Sequence, residues 1–292
     1  MAMKAKDLDI RVRNGAIGWR HIESEYLDVV EDILDTLVPD GPYAYTVSPG
    51  TVAAADGYAI PAGTIPHQTF VSTKQGLRES YESLHRFSAV RGMEAIAEVR
   101  GDWYTFFYGL GEGLVKPTGQ IVYSPTILLF PTMGKDGITG ELFWSRTGVG
   151  ACYDGGREGP LAVQTAILAK HEGLLEALRN ADAAAVASFY DPGAQIGIRD
   201  YLDDAPTLVD LHSADEFKHY LERFFARFRI VDIGVVQRLV QDWFVFCELL
   251  WVVEDRQNPG RTLSFYTADH GEMRSDGLLA TRIGFGTDAV TL

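Results

Sequence analysis

A chain of 292 residues is long for one small domain and comfortable for two of roughly 150 each. Apolar residues make up 46% and charged residues 23%, the mix of a globular protein. The formal charge of −14 excludes a nucleic-acid surface and disfavours an anionic membrane, because both need clustered Lys and Arg.

The first residues, Met1 to Arg13, alternate in charge and lack the apolar run of a signal peptide. The most apolar stretch, Phe244 to Val253, is interrupted by Glu248 and falls well short of the ~20 residues that cross a bilayer. The two cysteines, Cys152 and Cys247, lie far apart and form no metal-type pair. Cys247 sits in an apolar run and reads as a buried small residue. Such sparing use of cysteine fits a reducing compartment, so a cytoplasmic protein is expected.

In chain order, Ile22, Tyr26, Val29, Val30, Ile33 and Leu37 recur at helical spacing and predict a helix over Ile17–Leu37, stopped by Pro39-Asp40-Gly41-Pro42. Short extended pieces follow at Tyr43–Ser48 and Tyr58–Ile60. A helix is expected at Lys74–Phe87, then strands at Met93–Arg100, Trp103–Val115, Gln120–Met133 and Ile138–Thr147. Asp154 to Pro160 reads as a linker, giving domains over residues 1–153 and 161–292. Beyond it come helices at Val163–Arg179 and Ala183–Tyr190, the second broken by Pro192-Gly193, and a strand at Gln195–Tyr201. Ser213 and Glu216 are spaced as a capping box for the next helix. Strands at Val231–Val240, Trp243–Val253, Arg261–Ala268 and Leu278–Phe285 complete the chain.

The halves are related. Gly76–Leu110 matches Glu216–Leu250 without a gap, 140 residues on. Glu82 meets Glu222, Asp102-Trp103 meets Asp242-Trp243, Phe106 meets Phe246 and Leu110 meets Leu250. The fold class expected is α+β: two tandem cone-shaped domains, each a curved, mostly antiparallel sheet wrapped against helices. This order of elements, the Gly76-Leu-Arg-Glu-Ser-Tyr81 helix start and the Trp103 and Trp243 strands resemble the nuclear transport factor two-like superfamily. That superfamily includes SnoaL-like polyketide cyclases, scytalone dehydratase, ketosteroid isomerase and limonene epoxide hydrolase. The resemblance implies an apolar conical pocket in each half and, in its deformylating branch, lyase chemistry on lignin-derived diaryl compounds. It also takes in non-catalytic members, since fold alone does not fix function.

Comparing the copies locates the chemistry. Period-two alternation puts Tyr104, Phe106, Tyr108, Leu110 and Glu112 on one face of their strand, taken as the inner one. His85, Tyr104, Tyr108 and Glu112 stand where the second half has Phe225, Phe244, Glu248 and Val252, so the first half is expected to hold the site. An imidazole suits proton transfer and a tyrosine hydroxyl suits an oxyanion. His85 or His67 is the candidate proton carrier. Tyr104, Tyr108 and Tyr58 are the candidate hydroxyls, and Lys74 lies in the same region of the family's sites. Glu112, Tyr43, Tyr45 and Phe106 are candidate substrate-lining residues. In the second half, Asp269 and His270 read as exposed at a hairpin end, and that domain as structural or partner-binding. The Gly109, Gly111, Gly113 alternation reads as a device for bending the sheet. No cofactor or metal is implied by spacing.

The activity expected is therefore cofactor-independent acid–base elimination, a lyase or dehydratase on a hydroxylated, largely apolar and aromatic small molecule, in a homo-oligomer. The alternatives are a non-catalytic binding or assembly protein, and an isomerase or epoxide hydrolase of the same superfamily.

Overall fold

A computed structural model describes residues 5–41, 43–46, 68–71, 73–86, 88–145, 160–203, 207–274 and 276–292. Tyr58 and His67 lie outside the described residues, and Tyr45 is described in its backbone alone. The chain divides into two compact units, Met1–Gly148 and Val149–Leu292. Among the described residues no helix is long and apolar enough to cross a membrane.

The first unit has helices α1 (Ala5–Glu25), α2 (Val30–Leu34) and α3 (Lys74–His85). Its strands are β1 (Tyr43–Thr46), β2 (Gln68–Val71), β3 (Ser88–Arg100), β4 (Tyr104–Val115), β5 (Gln120–Pro131) and β6 (Gly140–Ser145), in sheet order β2-β1-β6-β5-β4-β3. Every pairing is antiparallel except β1 with β6. The second unit has α4 (Pro160–Arg179), α5 (Ala183–Ala187) and α6 (Ala214–Arg227), with β7 (Tyr190–Arg199), β8 (Leu208–Leu211), β9 (Phe228–Val240), β10 (Phe244–Asp255), β11 (Thr262–Glu272), β12 (Leu279–Gly286) and β13 (Val290–Thr291). Its order, β8-β7-β12-β11-β10-β9, repeats the first, again with one parallel pair, β7 with β12. The α+β class and the two-sheet plan are as the sequence implies.

The repeat extends to fine detail. In the β3·β4 ladder one extra residue bulges at Arg91 and another at Ile96; in β9·β10 the bulges fall at Val231 and Val236, the same offset of 140. A bulge increases local twist and bends its strand, so two at matched positions impose the same curl on both sheets. The Trp turn repeats as well. Trp103 accepts from Met133 N–H and Trp243 from Met273 N–H through their carbonyls, and each indole packs edge-on against the next ring, Tyr104 or Phe244.

Three local readings shift. The helix expected over Ile17–Leu37 is two, because Asp28 takes a left-handed φ of 54° that no continuous α-helix tolerates but Asp does. Pro192-Gly193 does not precede β7 but lies within it, where the β7·β12 register shifts and a proline costs no ladder bond. Third, the helix-facing side of the central strands is the other one. Phe107 packs edge-on against Trp19 of α1 and belongs with Ile22, Leu77, Tyr81, Leu128 and Phe130 to the first core. Val245, Cys247, Leu249, Trp251 and Val253 do the same in the second unit. Tyr104, Phe106 and Tyr108 alternate with Phe107 and so lie on the opposite face, which is also buried. Apolar residues on both faces hide the phase from a sequence reading.

Helix starts are fixed alike: Thr73 and Ser213, both extended in backbone, accept hydrogen bonds from Gly76 N and Glu216 N through their side chains. Replacing either by alanine is expected to cost about 1 kcal/mol, measured by chemical unfolding of the full chain.

Candidate functional site

β4 and β10 show most directly how the two units differ. The helix-facing positions that hold Leu249, Trp251 and Val253 in the second unit hold Gly109, Gly111 and Gly113 in the first. Side chains that would fill the space between sheet and helices are missing there. A cavity of about 520 Å³, counting its open mouth, takes their place, lined among others by Ile22, Glu25, Met93, Gly111, Glu112 and Phe143. A Cβ added at Gly111 would lie 2.8 Å from Thr126 Oγ1, and one at Gly109 only 2.3 Å from the Glu94 carbonyl oxygen. The glycine row is thus needed for close strand packing as well as for the void.

Polar groups gather beside this cavity. His21 and Glu25, one turn apart on α1, project from the same face. Thr36, just past α2, donates its hydroxyl to the Ile33 carbonyl, so it can only accept from His21, whose Nδ1 lies 2.5 Å away and carries the hydrogen. Nε2 is then the ring atom that faces Glu141 of β6, at 3.6 Å, and Glu25, at 4.0 Å. Tyr81 of α3 donates its hydroxyl to Glu141 Oε2 at 2.6 Å and lies 3.4 Å from His21 Nε2. All five side chains are buried.

Glu25 is the member that also lines the cavity. Burial in an apolar wall pushes its carboxyl well above the usual carboxylate range, and the neighbouring Glu141 pushes it further. Its place at the C-terminal end of α1, where carbonyl dipoles repel a negative charge, acts in the same direction. Among the described residues, His21, Glu25 and Glu141 also form the one set with donor atoms close enough, within 4.8 Å, to share a cation.

The residues singled out from sequence fall into separate places. His85 ends α3 with Nδ1 2.8 Å from Asp28, the left-handed residue, and Lys116 binds the same carboxylate at 2.6 Å. Burial lowers the His85 pKa, Asp28 opposing and Lys116 adding to the fall. Its ring centroid is 6.2 Å from that of Tyr81, which puts it at the outer end of the His21 network rather than on the cavity wall. Lys74 donates to the Leu34 and Leu37 carbonyls at 2.9 and 3.3 Å, closing the end of α2. The Tyr43 hydroxyl donates to the Val38 carbonyl at 2.7 Å, a core contact. Tyr104, Phe106 and Tyr108 lie on the sheet's other face, and Glu112, in phase with them, borders the cavity by its place in the strand between Gly111 and Gly113.

His21, Glu25, Tyr81 and Glu141 are absent from the sequence reading. The signal available was the pair His21 and Glu25, four apart and flanking Ile22 in the apolar stripe of α1. A helix extended through Leu37 blurred it.

The second unit is not featureless. Of Asp269 and His270, read as exposed, His270 is buried and Asp269 is half-buried. Asp269 pairs at 3.0 Å with Arg282, itself buried, because β11 runs beside β12 in the middle of the sheet. His171 of α4 accepts from Arg238 at Nδ1, 3.3 Å.

Solved structures resemble the protein one unit at a time. A proposed isomerase from Bacillus subtilis covers 43% of this chain and 88% of its own at 11% identity and a TM-score of 0.37. A proposed polyketide cyclase from Xanthomonas campestris covers 42% and 91% at 16% identity and 0.35. An LEH-like epoxide hydrolase from M. tuberculosis covers 42% and 84% at 15% identity and 0.34. No family model and no curated protein matches the chain.

His171 gives a pH signature. Burial lowers its pKa to about 4. The unfolded chain therefore binds a proton that the folded one refuses as pH falls from ~6.5 toward 4, and stability declines across that window by up to about 3 kcal/mol. Chemical unfolding from pH 7 to 4 is expected to show a smaller decline in His171→Gln than in the wild type.

Proposed function

We propose that the first unit is a cofactor-independent acid–base enzyme, a dehydratase or related lyase for a hydroxylated, largely apolar molecule of aromatic character. The observation that carries this reading is Glu25: a carboxyl whose pKa is raised by burial and by Glu141, set in the wall of a cavity whose other lining is mainly glycine and apolar. Proton donation needs such a group, since an acid that keeps its proton near neutrality is both populated and able to give it up.

The carboxyl that enters the cavity wall from the helices is Glu25. In the proposed elimination Glu25 gives its proton to the leaving hydroxyl as the C–O bond breaks. Water at the mouth takes the proton from the adjacent carbon, a double bond forms between the two carbons, and water leaves. Solvent then returns a proton to Glu25. His21 and Tyr81 position the acid: Thr36 fixes the His21 ring, Tyr81 fixes Glu141, and Glu141 keeps Glu25 protonated. His85, holding Asp28 at the end of α3, braces the break between α1 and α2 from outside.

The test is Glu25→Gln, assayed for loss of water and gain of a conjugated double bond on a panel of hydroxylated aromatic compounds. Turnover is expected to fall ~10²–10⁴-fold. In the wild type it should fall as pH rises through the elevated Glu25 pKa, because the acid form is then lost. Stability should move the other way. A carboxyl whose folded pKa is raised opposes folding once pH exceeds its ordinary range, so Glu25→Gln is expected to be more stable than the wild type near neutral pH. Turnover that survives in Glu25→Gln, or that requires an added divalent cation and stops with a chelator, overturns the acid–base reading. Affinity without turnover for every compound supports the binding-protein alternative.

A further inference from the structure

The second unit holds a cleft that the proposed elimination does not use. It measures about 430 Å³ with its open mouth, and its walls come from β7, α6, β10, β11 and β12. Tyr201, Phe265 and Trp251 form a stack along one wall: Tyr201 on Phe265 with centroids 3.8 Å apart, Phe265 and Trp251 nearly coplanar at 11°. Phe224 meets Trp251 edge-on at 5.9 Å. Planar apolar surfaces of this kind offer most to a flat ring.

The polar lining is unlike that of the first unit. Arg199 and Arg282 both line the cleft, 7% and 6% exposed, and the carboxylate lining it with them is Asp269. Arg282 donates to Asp269. Arg199 donates to the Gly286 carbonyl and to Asp288, but Asp288 stands 82% exposed in solvent, and among the described residues the buried Arg199 Nε has no hydrogen-bond partner. Arg282 is thus neutralised within the cleft by Asp269, whereas the charge of Arg199 is met by a carboxylate that solvent screens. Burying that charge beneath aromatic rings is unfavourable unless an anion completes it. Arginine's planar fork suits a carboxylate.

We propose that this cleft is a second small-molecule site, taking a single-ring aromatic carboxylate: the ring against Trp251 and Phe265, the carboxylate at the arginine end. The site belongs to the second unit and does not rest on the elimination chemistry.

Benzoate is the probe, with benzamide as its uncharged counterpart, titrated into the full-length protein and followed by tryptophan fluorescence and calorimetry. Benzoate is expected to bind saturably and at least tenfold more tightly than benzamide. The fluorescence change should vanish in Trp251→Phe while the calorimetric signal remains. Arg282→Met alone would strand a half-buried Asp269, so the paired change Arg282→Met with Asp269→Leu is the informative variant. It should remain folded by circular dichroism and lose at least tenfold in benzoate affinity. Gly111→Leu, which fills the first unit's cavity, should bind benzoate unchanged. The proposal is overturned by absence of saturable binding, by equal affinity for benzamide, by full affinity in the folded paired variant, or by loss in Gly111→Leu.

Discussion

Each unit is organised by the way one strand meets the helices above it. β4 and β10 run through the curled part of their sheets, and matched bulges at Arg91 and Ile96, and at Val231 and Val236, give that curl the same form twice. A sheet bent in this way leaves a hollow under its helices. What occupies the hollow depends on a row of three alternating residues. Leu249, Trp251 and Val253 largely fill it in the second unit, whereas Gly109, Gly111 and Gly113 leave it open in the first. Three apolar side chains of that size are each worth roughly 1.5–3 kcal/mol when fully buried. Glycine also adds backbone entropy to the unfolded chain. The first unit forgoes several kcal/mol of core, in part because the Glu94 backbone crowds Gly109 and in part to leave the room at Gly111 and Gly113 that a ligand needs.

The same bias governs the charges. A lone ionised carboxylate beside the first cavity would be costly, and burial and the neighbouring Glu141 push Glu25 toward its protonated form. His21, Tyr81 and Thr36 each satisfy a neighbour, so the network is expensive only at the position that faces the void. In the second unit the buried ionic group is Arg282 with Asp269, which lowers its cost by pairing across adjacent strands. The outcome is one acidic, proton-holding cavity and one cationic, aromatic cleft from the same plan of elements.

How much of this was legible depends on which physical signal wrote it. The doubling and the strand ends were readable because Asp-Trp-aromatic turns and apolar alternation are local and recur in register. The inner face of β4 was not, since Tyr104, Phe106 and Phe107 are all fully buried and alternation cannot choose between two apolar faces. The choice of Tyr104 and Tyr108 followed from that ambiguity, whereas His85 was chosen because it stands opposite Phe225. Asp28 was unreadable for another reason: its left-handed φ ends α1, yet the apolar periodicity runs on through α2 as if unbroken. With the helix drawn to Leu37, nothing marked Glu25 as a helix terminus. Lys74 was named as a candidate at the start of its helix. It sits there because its ammonium reaches another helix's carbonyls, a contact that only the fold supplies.

The glycines carry the most general point. Read alone, Gly109, Gly111 and Gly113 suggest flexibility, and a strand with three of them should be weaker than its neighbours. Read against Leu249, Trp251 and Val253 in an equivalent ladder, they record a subtraction. The second unit serves as an internal reference for what packing there would look like, with sheet order, bulges and cap held constant. Differences between the copies can therefore be assigned to the row itself. On that basis the cavity is built by removal, not by a special loop or an added element. The acid at its wall then needs only two things the fold already provides: a helix end pointing inward, and a second carboxylate close enough to hold the proton on the first.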